Sequence, residues 1–253
     1  MKILTCLPVY NRKLVTGLVA ENLFKYKQDS TLWVYNDWSS EYENSYLEDS
    51  CDKIFKLPKS DKVVVKNEKN KKGMGVQHLR WYQFREFLSM DYDALYLTDS
   101  DALHDPSYID VLKNLHKKYS LANGAKMPIC LYNTRWHESA TIKEGKDVYM
   151  RSTAPGISQL YTKDMVSKIV TNLDKLAEDP TYAWDFRCLE YLKLPVITTK
   201  NSYVEHFGAS SESMHTPRGE WDRDRALNPT EYLVNLREDT ISYLEGKGSR
   251  PNI

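Results

Sequence analysis

The alternation of strand patterns with helix patterns over the first hundred residues limits the fold more than any other feature. An apolar run at 2–9 is typical of a buried strand, and Leu14, Leu18 and Leu23 follow it at helical spacing. A polar stretch at 41–50 has helical character, and a helix is predicted over 76–88. Further strands are predicted at 31–37, 53–57, 62–66 and 93–101. This alternation predicts right-handed βαβ units and hence an α/β fold, with a mostly parallel central sheet flanked by helices.

The second half of the chain is less regular. Helices are predicted over 107–119, 163–176, 183–192 and 230–246, and strands near 127–133, 156–162 and 195–199. The polar, proline-containing stretch at 209–229 is typical of a long loop. We therefore predict one domain over 1–216, followed by a C-terminal helical appendage over 217–253.

The composition excludes several classes of protein. The chain has 35 Lys plus Arg and 35 Asp plus Glu, so it lacks the basic balance that nucleic-acid binding normally requires, and we expect no nucleic-acid partner. No apolar run approaches the roughly 20 residues of a membrane span, and no secretory signal opens the chain, so a soluble, cytoplasmic protein is expected. The four cysteines show no paired spacing, which favours buried free thiols over a disulfide or a metal site.

Polar side chains follow three of the predicted strands at the point where each strand ends. In open α/β sheets, ligands bind beyond the carboxyl ends of the strands, so we expect these clusters to meet in one crevice. The clusters are Tyr10-Asn11-Arg12, Asn36-Asp37 and Asp99-Ser100-Asp101.

The paired carboxylates of Asp99 and Asp101 indicate how a phosphorylated ligand could be held. Gly73 and Gly75 lack the third glycine of a dinucleotide fingerprint, because His78 stands at its position, and no Gly-Lys-Ser/Thr occurs. A divalent cation bridging carboxylates and phosphate oxygens remains. Asp101, at the strand end, is the better metal ligand, and Asp99 is assigned to a ribose hydroxyl or a metal-bound water. A polar turn with no function is the alternative.

Four segments together resemble the nucleotide-sugar half of a GT-A fold glycosyltransferase. Their order and spacing are similar to those of the small glycosyltransferases encoded by large DNA viruses of algae. The resemblance covers roughly residues 2–215 and implies a nucleotide-sugar half over 1–106 and an acceptor half over 107–216. The segments are LPVYNR, VYNDWSSE, KKGMGVQHLRW and LYLTDSD.

The resemblance also implies roles for individual residues. Pro8, Tyr10 and Arg12 would hold the nucleobase and ribose, Asp37 would contact the uracil, and Arg80 would face the nucleotide.

In the second half, Asp185 stands where inverting relatives keep a general base, although an acid in a first helical turn also has a structural explanation. His206 resembles a C-terminal histidine near the metal or diphosphate, with His215 as the reserve.

These expectations describe a glycosyltransferase that uses a UDP-sugar with Mn²⁺ or Mg²⁺ and moves a hexose or a 6-deoxyhexose, such as rhamnose, to a saccharide acceptor. The sequence leaves inversion and retention of the anomeric configuration open. Two alternatives remain: a non-catalytic sugar- or nucleotide-sugar-binding module of the same fold, and a sugar nucleotidyltransferase. The second alternative is disfavoured because the chain opens with LPVYNR rather than a glycine-rich basic segment.

Overall fold

A sheet of nine strands forms the centre of the part of the chain that the structure describes. The computed structural model describes residues 1–57, 75–122, 124–172, 184–207 and 225–253. The strands of this sheet are β1 (Ile3–Val9), β2 (Thr31–Asn36), β3 (Lys53–Lys56), β4 (Ala94–Thr98), β6 (Ile129–Cys130), β7 (Thr141–Glu144), β8 (Val148–Arg151), β9 (Ser158–Thr162) and β10 (Val196–Thr199). Across the sheet their order is β3-β2-β1-β4-β9-β6-β10-β8-β7.

Six α-helices accompany these strands within the described ranges. They are α1 (Lys13–Tyr26), α2 (Val76–Leu88), α3 (Tyr108–Lys118), α4 (Lys163–Thr171), α5 (Trp184–Leu192) and α6 (Glu231–Leu244). None of these helices is long and apolar enough to cross a membrane.

Seven of the nine strands run in one direction, and only β8 and β9 run against them. The predicted α/β class with a mostly parallel sheet is therefore confirmed. The carboxyl ends of β1, β2 and β4 lie side by side, because β1 pairs in parallel with both of the others. This pairing brings the polar clusters that follow the three strands to one edge of the sheet.

A second, two-stranded sheet stands at that edge. Its strands, β5 (Ala102–His104) and β11 (Val204–His206), pair antiparallel, with His206 opposite Ala102. The backbone N–H of Phe207 also donates to the carbonyl of Asp101 at 3.2 Å. Residues a hundred positions apart in sequence are thereby fixed beside each other at the end of β4.

Apolar side chains from the helices cover the sheet. Phe84 and Phe87 on α2 are fully buried, and every residue of β4 is buried between layers, as a central parallel strand requires. The four cysteines are free and buried, as predicted, and burial raises the pKa of the Cys6 thiol to about 12.

Two regions differ from the sequence-based expectation. Residues 41–50 form two short 3₁₀ turns, Asn44–Tyr46 and Glu48–Ser50, rather than one helix. The side chain of Asn36 donates to Asn44 at 2.8 Å and ties this segment to the end of β2. The hairpin β7–β8 was not predicted, because all four residues of β7 are exposed and provide no apolar alternation. The strand predicted at 62–66 lies outside the described residues.

Helix α6 packs on the second sheet through Leu233 and Leu236, which are buried. Thr230 begins the helix: its hydroxyl oxygen accepts from the Leu233 N–H at 3.4 Å and donates to Asp105 at 2.6 Å. The C-terminal Ile253 is also buried. The proposed boundary at 216/217 lies outside the described residues and stays a prediction.

Candidate functional site

The loops after β1 and β2 are joined by hydrogen bonds at the sheet edge. The N–H of Asn11 donates to the hydroxyl of Ser39 at 2.9 Å, and the Asn11 side-chain oxygen accepts from the Ser40 N–H at 2.8 Å. The N–H of Asp37 donates to the carbonyl of Val9 at 2.8 Å. The expected meeting of the clusters after β1 and β2 is therefore confirmed, with Ser39 as a contributor that the sequence did not single out.

These loops carry backbone strain. Asn11, Arg12 and Trp38 have positive φ angles of 50°, 54° and 65°, in the left-handed region that residues other than glycine seldom adopt. Such conformations cost about 1 to 3 kcal/mol each and persist only where the surroundings enforce them. The strain fixes Arg12, the residue preceding α1, in an orientation that directs its side chain across the crevice.

Asp101 lies between two basic side chains. Its Oδ2 is 2.9 Å from Arg12 Nη1, and its Oδ1 is 3.4 Å from His206 Nε2. Arg12 Nη2 also donates to the Ser100 hydroxyl at 2.6 Å. Burial alone would raise the pKa of Asp101, but His206 and Arg12 outweigh it and hold that pKa well below its usual range. Asp101 is therefore a permanent anion that joins the ends of β1, β4 and β11.

Asp99 occupies a separate environment, two residues before Asp101. Its Oδ1 is 2.7 Å from Nη2 of Arg80, a fully buried residue of α2 that also donates to the carbonyl of Thr98 and to Gln83. Burial raises the pKa of Asp99 although Arg80 opposes the shift, and burial likewise lowers the pKa of Arg80. Because Arg80 is fully buried, any effect it has on a ligand passes through Asp99.

The other residues assigned to the nucleotide lie on the β1 and β2 side of the crevice. Asp37 is 4% exposed, and its Oδ2 accepts from the Gly75 N–H at 2.8 Å. Gly75 has a φ of 77° and precedes α2, so this bond fixes the start of the helix against β2. Pro8 is buried within β1, and Tyr10 is half-buried directly after it.

Asp185 lies in the first turn of α5, at the border of the acceptor half. Its Oδ1 accepts from the Phe186 N–H at 2.9 Å. Burial is the main reason that its pKa is raised, and the negative charge of Asp99 adds to the shift. A carboxylate whose pKa is raised by burial and by a nearby negative charge is a candidate proton acceptor.

Gly156, which precedes β9, makes room for this carboxylate. A Cβ atom on Gly156 would stand 2.7 Å from the Trp184 ring and 3.1 Å from Asp185 Oδ2. The Trp184 ring lies 5.1 Å from the Arg80 guanidinium, so the two halves of the crevice meet at Arg80. Neither Gly156 nor Trp184 was singled out from the sequence, because a glycine before a strand carries no pattern of its own.

Carboxylate and imidazole groups could hold a metal ion here. Asp101 and His206 are the adjacent donors, and their oxygen and nitrogen atoms suit a divalent cation such as Mn²⁺. Among the residues that the structure describes, no group of three His, Cys, Asp or Glu side chains is arranged to hold a metal ion. The reserve ligand His215 lies outside the described ranges. A cation at Asp101 and His206 would therefore need oxygen ligands from a substrate and from water.

The comparisons with known proteins identify the fold. No family model matches the chain, and no curated protein matches it in sequence. Among solved structures, S. aureus TarS 1-349 has a TM-score of 0.53 at 13% identity, over 81% of this chain and 60% of that one. A second structure of S. aureus TarS gives 0.54 at 15% identity, over 81% and 36% of the two chains. The fold is that of the GT-A glycosyltransferases.

The chain spans less than two thirds of either TarS chain. A third structure, the mannosyltransferase PcManGT from Pyrobaculum calidifontis in complex with GDP-Man and Mn²⁺, aligns with a TM-score of 0.49 at 10% identity. That alignment covers 99% of this chain and 66% of that one.

Proposed function

We propose that this protein is a glycosyltransferase that moves a sugar from a nucleoside diphosphate sugar to a hydroxyl group of a saccharide acceptor. The observation that carries the proposal is that the pKa values of two carboxylates, Asp101 and Asp185, are shifted in opposite directions. Asp101 is held ionised by Arg12 and His206, whereas burial raises the pKa of Asp185. Pairs of titratable groups whose surroundings push their pKa values apart mark the binder and the proton acceptor of an active site.

The donor would lie along the carboxyl ends of β1, β2 and β4. Pro8, Tyr10 and Arg12 would contact the nucleobase and ribose, and Asp99 a ribose hydroxyl. Asp37 would accept the N3 hydrogen of uracil, which adenine cannot offer, so the proposed donor is a UDP-sugar. The Asp37 carboxylate already accepts from Gly75 and is therefore held in position before a nucleotide binds.

A divalent cation, Mn²⁺ or Mg²⁺, would be held by Asp101 and His206 and would supply Lewis-acid stabilisation to the departing diphosphate. Because Asp101 and His206 are the two adjacent donors among the residues that the structure describes, we expect the protein alone to bind the cation weakly. The nucleotide diphosphate should strengthen binding by completing the ligand set. Arg12, 2.9 Å from Asp101, contributes a second positive charge on the same side of the donor.

The proposed chemistry is direct displacement at the anomeric carbon. Asp185 takes the proton from the acceptor hydroxyl while that oxygen forms the new bond to carbon, and the bond from carbon to the diphosphate oxygen breaks. The electron pair of the broken bond leaves with UDP. This assignment gives a product of inverted configuration, and a product of retained configuration would exclude Asp185 as the base.

The sugar that is moved is proposed to be a hexose or a 6-deoxyhexose, with rhamnose as one candidate. The support for rhamnose is the resemblance of the four sequence segments to glycosyltransferases of algal viruses. We also propose that the protein functions in glycan synthesis.

A panel of nucleotide sugars tests the proposal. The protein is incubated with UDP-, GDP- and dTDP-sugars in the presence of Mn²⁺ or of EDTA, and release of the nucleotide is measured with and without simple saccharides. We expect release from a UDP-sugar that requires Mn²⁺ and increases with acceptor. Binding of UDP with no release from any donor would instead favour the non-catalytic module.

The preference for uracil as the nucleobase is tested separately by calorimetry. UDP should bind more tightly than ADP by about 1 to 3 kcal/mol, because the uracil N3–H would donate to the Asp37 carboxylate and adenine has no donor at that ring position. Equal affinities would show that Asp37 only fixes Gly75 and does not read the base.

A further inference from the structure

A pocket lies on the acceptor side of the molecule, between the hairpin β7–β8 and helix α5. Its volume is about 440 Å³, within the range of sites that bind small organic molecules. The residues that line it are Ile142, Met150, Ser152, Thr153, Phe186, Leu189, Glu190, Lys193, Leu194 and Pro195.

One face of α5 forms a side of this pocket. Phe186, Leu189 and Glu190 follow the spacing i, i+3 and i+4, so they share one face along roughly 6 Å of the helix axis. Phe186 is the residue after Asp185, and its N–H donates to the Asp185 carboxylate. The pocket therefore begins beside the proposed base and extends away from it along the helix.

The lining is mainly aliphatic. Ile142, Met150, Leu189, Leu194 and Pro195 offer no hydrogen-bonding side-chain group, and Phe186 is the single aromatic residue among the ten. Ser152, Thr153, Glu190 and Lys193 also line the pocket, but most of its surface is apolar. An unbranched hydrocarbon chain needs only apolar contact, so it matches this pocket better than a second sugar does.

The apolar surface is also accessible from solvent. Ile142 is 64% exposed on the hairpin, and Phe186 is 36% exposed on the helix. A contiguous exposed apolar patch of this kind marks a binding surface, because burying it removes apolar area from water.

We propose that this pocket binds the hydrocarbon chain of a lipid-like acceptor, whose sugar headgroup presents its hydroxyl to Asp185. The proposal rests on the proposed function, because the headgroup is placed by Asp185. The site and such an acceptor have the same arrangement of polar and apolar groups. The Asp185 carboxylate lies at the start of α5, and the apolar side chains lie farther along that helix, directly after it and on the hairpin.

Direct binding tests the pocket without any transfer reaction. Octyl and methyl β-glucosides, mannosides and galactosides are titrated into the full chain, and saturation-transfer NMR is recorded below the micelle concentration. We expect the octyl compounds to bind at least about tenfold more tightly than the methyl compounds, since each methylene buried contributes roughly threefold. Equal affinities would overturn the proposal.

A matched pair of variants locates the binding. Ile142→Asp puts a charge into the apolar wall and should weaken octyl glycoside binding at least about tenfold. Leu14→Asp, at a residue 51% exposed on α1, should leave binding unchanged. Ile142→Leu, which keeps an aliphatic side chain, should bind octyl glycosides about as tightly as the wild type does. Equal loss in both Asp variants, or in neither, would exclude this pocket as the site.

The transfer assay separates this inference from the proposed function. If transfer occurs, Ile142→Asp should raise the KM for octyl glycosides and leave kcat and donor hydrolysis unchanged. If no donor is turned over but octyl glycosides still bind in an Ile142-dependent way, the pocket assignment stands and the enzymatic proposal fails. If transfer occurs with a KM that is independent of chain length and of Ile142, the enzymatic proposal stands and the pocket assignment fails.

Discussion

The end of β4 and the start of α5 each carry a carboxylate, Asp101 and Asp185, and the pKa values of the two are shifted in opposite directions. Asp101 contacts Arg12 through one carboxylate oxygen and His206 through the other, and its pKa lies well below the usual range. Asp185 accepts hydrogen bonds from backbone N–H groups and is influenced by the negative charge of Asp99. Its pKa is raised chiefly by burial.

This difference separates binding from proton transfer. A carboxylate paired with basic groups has a lowered pKa and favours the ionised form, which a metal ligand requires. A carboxylate removed from water without a full positive partner has higher proton affinity and suits general-base catalysis. Under the proposed function, the same residue type performs two tasks, and the neighbouring groups decide which task each carboxylate has.

The strongest test of the comparison is Asp185→Asn. Asparagine keeps the size of the side chain and its acceptor for the Phe186 N–H, but it cannot take a proton. Transfer should fall by about 10² to 10⁴, while the affinity for the donor stays near that of the wild type. Single-turnover assays and UDP-sugar titrations measure the two quantities, and Asp164→Asn, at an exposed position in the first turn of α4, is the control.

Retained activity in Asp185→Asn would leave the residue with a structural role only, since asparagine at a helix start serves about as well as aspartate.

Asp101→Asn should give the complementary result. Metal-dependent UDP binding should weaken at least about tenfold, and the protein should lose up to about 3 kcal/mol of stability, because Arg12 and His206 lose their anion. Calorimetry with Mn²⁺ and with EDTA, together with urea unfolding, measures both effects. If UDP binds equally with EDTA and with Mn²⁺ in the wild type, the proposed cation site is wrong.

Gly156→Ala tests the space that holds Asp185. The added methyl group would meet the Trp184 ring at 2.7 Å and the Asp185 carboxylate at 3.1 Å, so α5 must shift. We expect kcat to fall by about tenfold with unchanged UDP affinity, since a small displacement of a catalytic group is costly. Gly145→Ala, in the β7–β8 turn, is the control. A loss of UDP affinity instead would mean that Gly156 supports the donor side.

The smallest expected effect is the change of folding stability with pH. The direction of this change differs between Asp185 and Asp101. The folded protein holds the Asp185 proton to a higher pH than the unfolded chain does, so stability falls as the pH rises through that interval. Asp185→Asn should therefore raise the unfolding temperature modestly at neutral pH and leave it unchanged at acidic pH. Asp101→Asn should lower it at neutral pH. Melting curves recorded over a pH series check both signs, and a destabilised Asp185→Asn would contradict the burial argument.

The sequence was sufficient for the elements that carry a strong periodic pattern. The helix predicted over 76–88 is α2, Val76–Leu88, and the apolar strand before Asp99 is β4. It was not sufficient for β7, whose residues are all exposed, or for β5 and β11, which are three residues long. Short or fully exposed strands lack the alternation from which a strand is recognised, and they form because a partner strand is already in place.

The sequence by itself determined which polar residues follow which strands, and parallel pairing of those strands then places them at one edge of the sheet. Only the tertiary structure decided how those residues are paired. Arg12 meets Asp101 across 89 positions of sequence, and Arg80 meets Asp99 from a helix on the covered face of the sheet. The pKa of a carboxylate depends on burial and on charges within a few ångströms. Both are properties of the packed chain, so the sequence could name Asp101 and Asp185 as candidates, but it could not give the opposite pKa shifts on which their proposed roles depend.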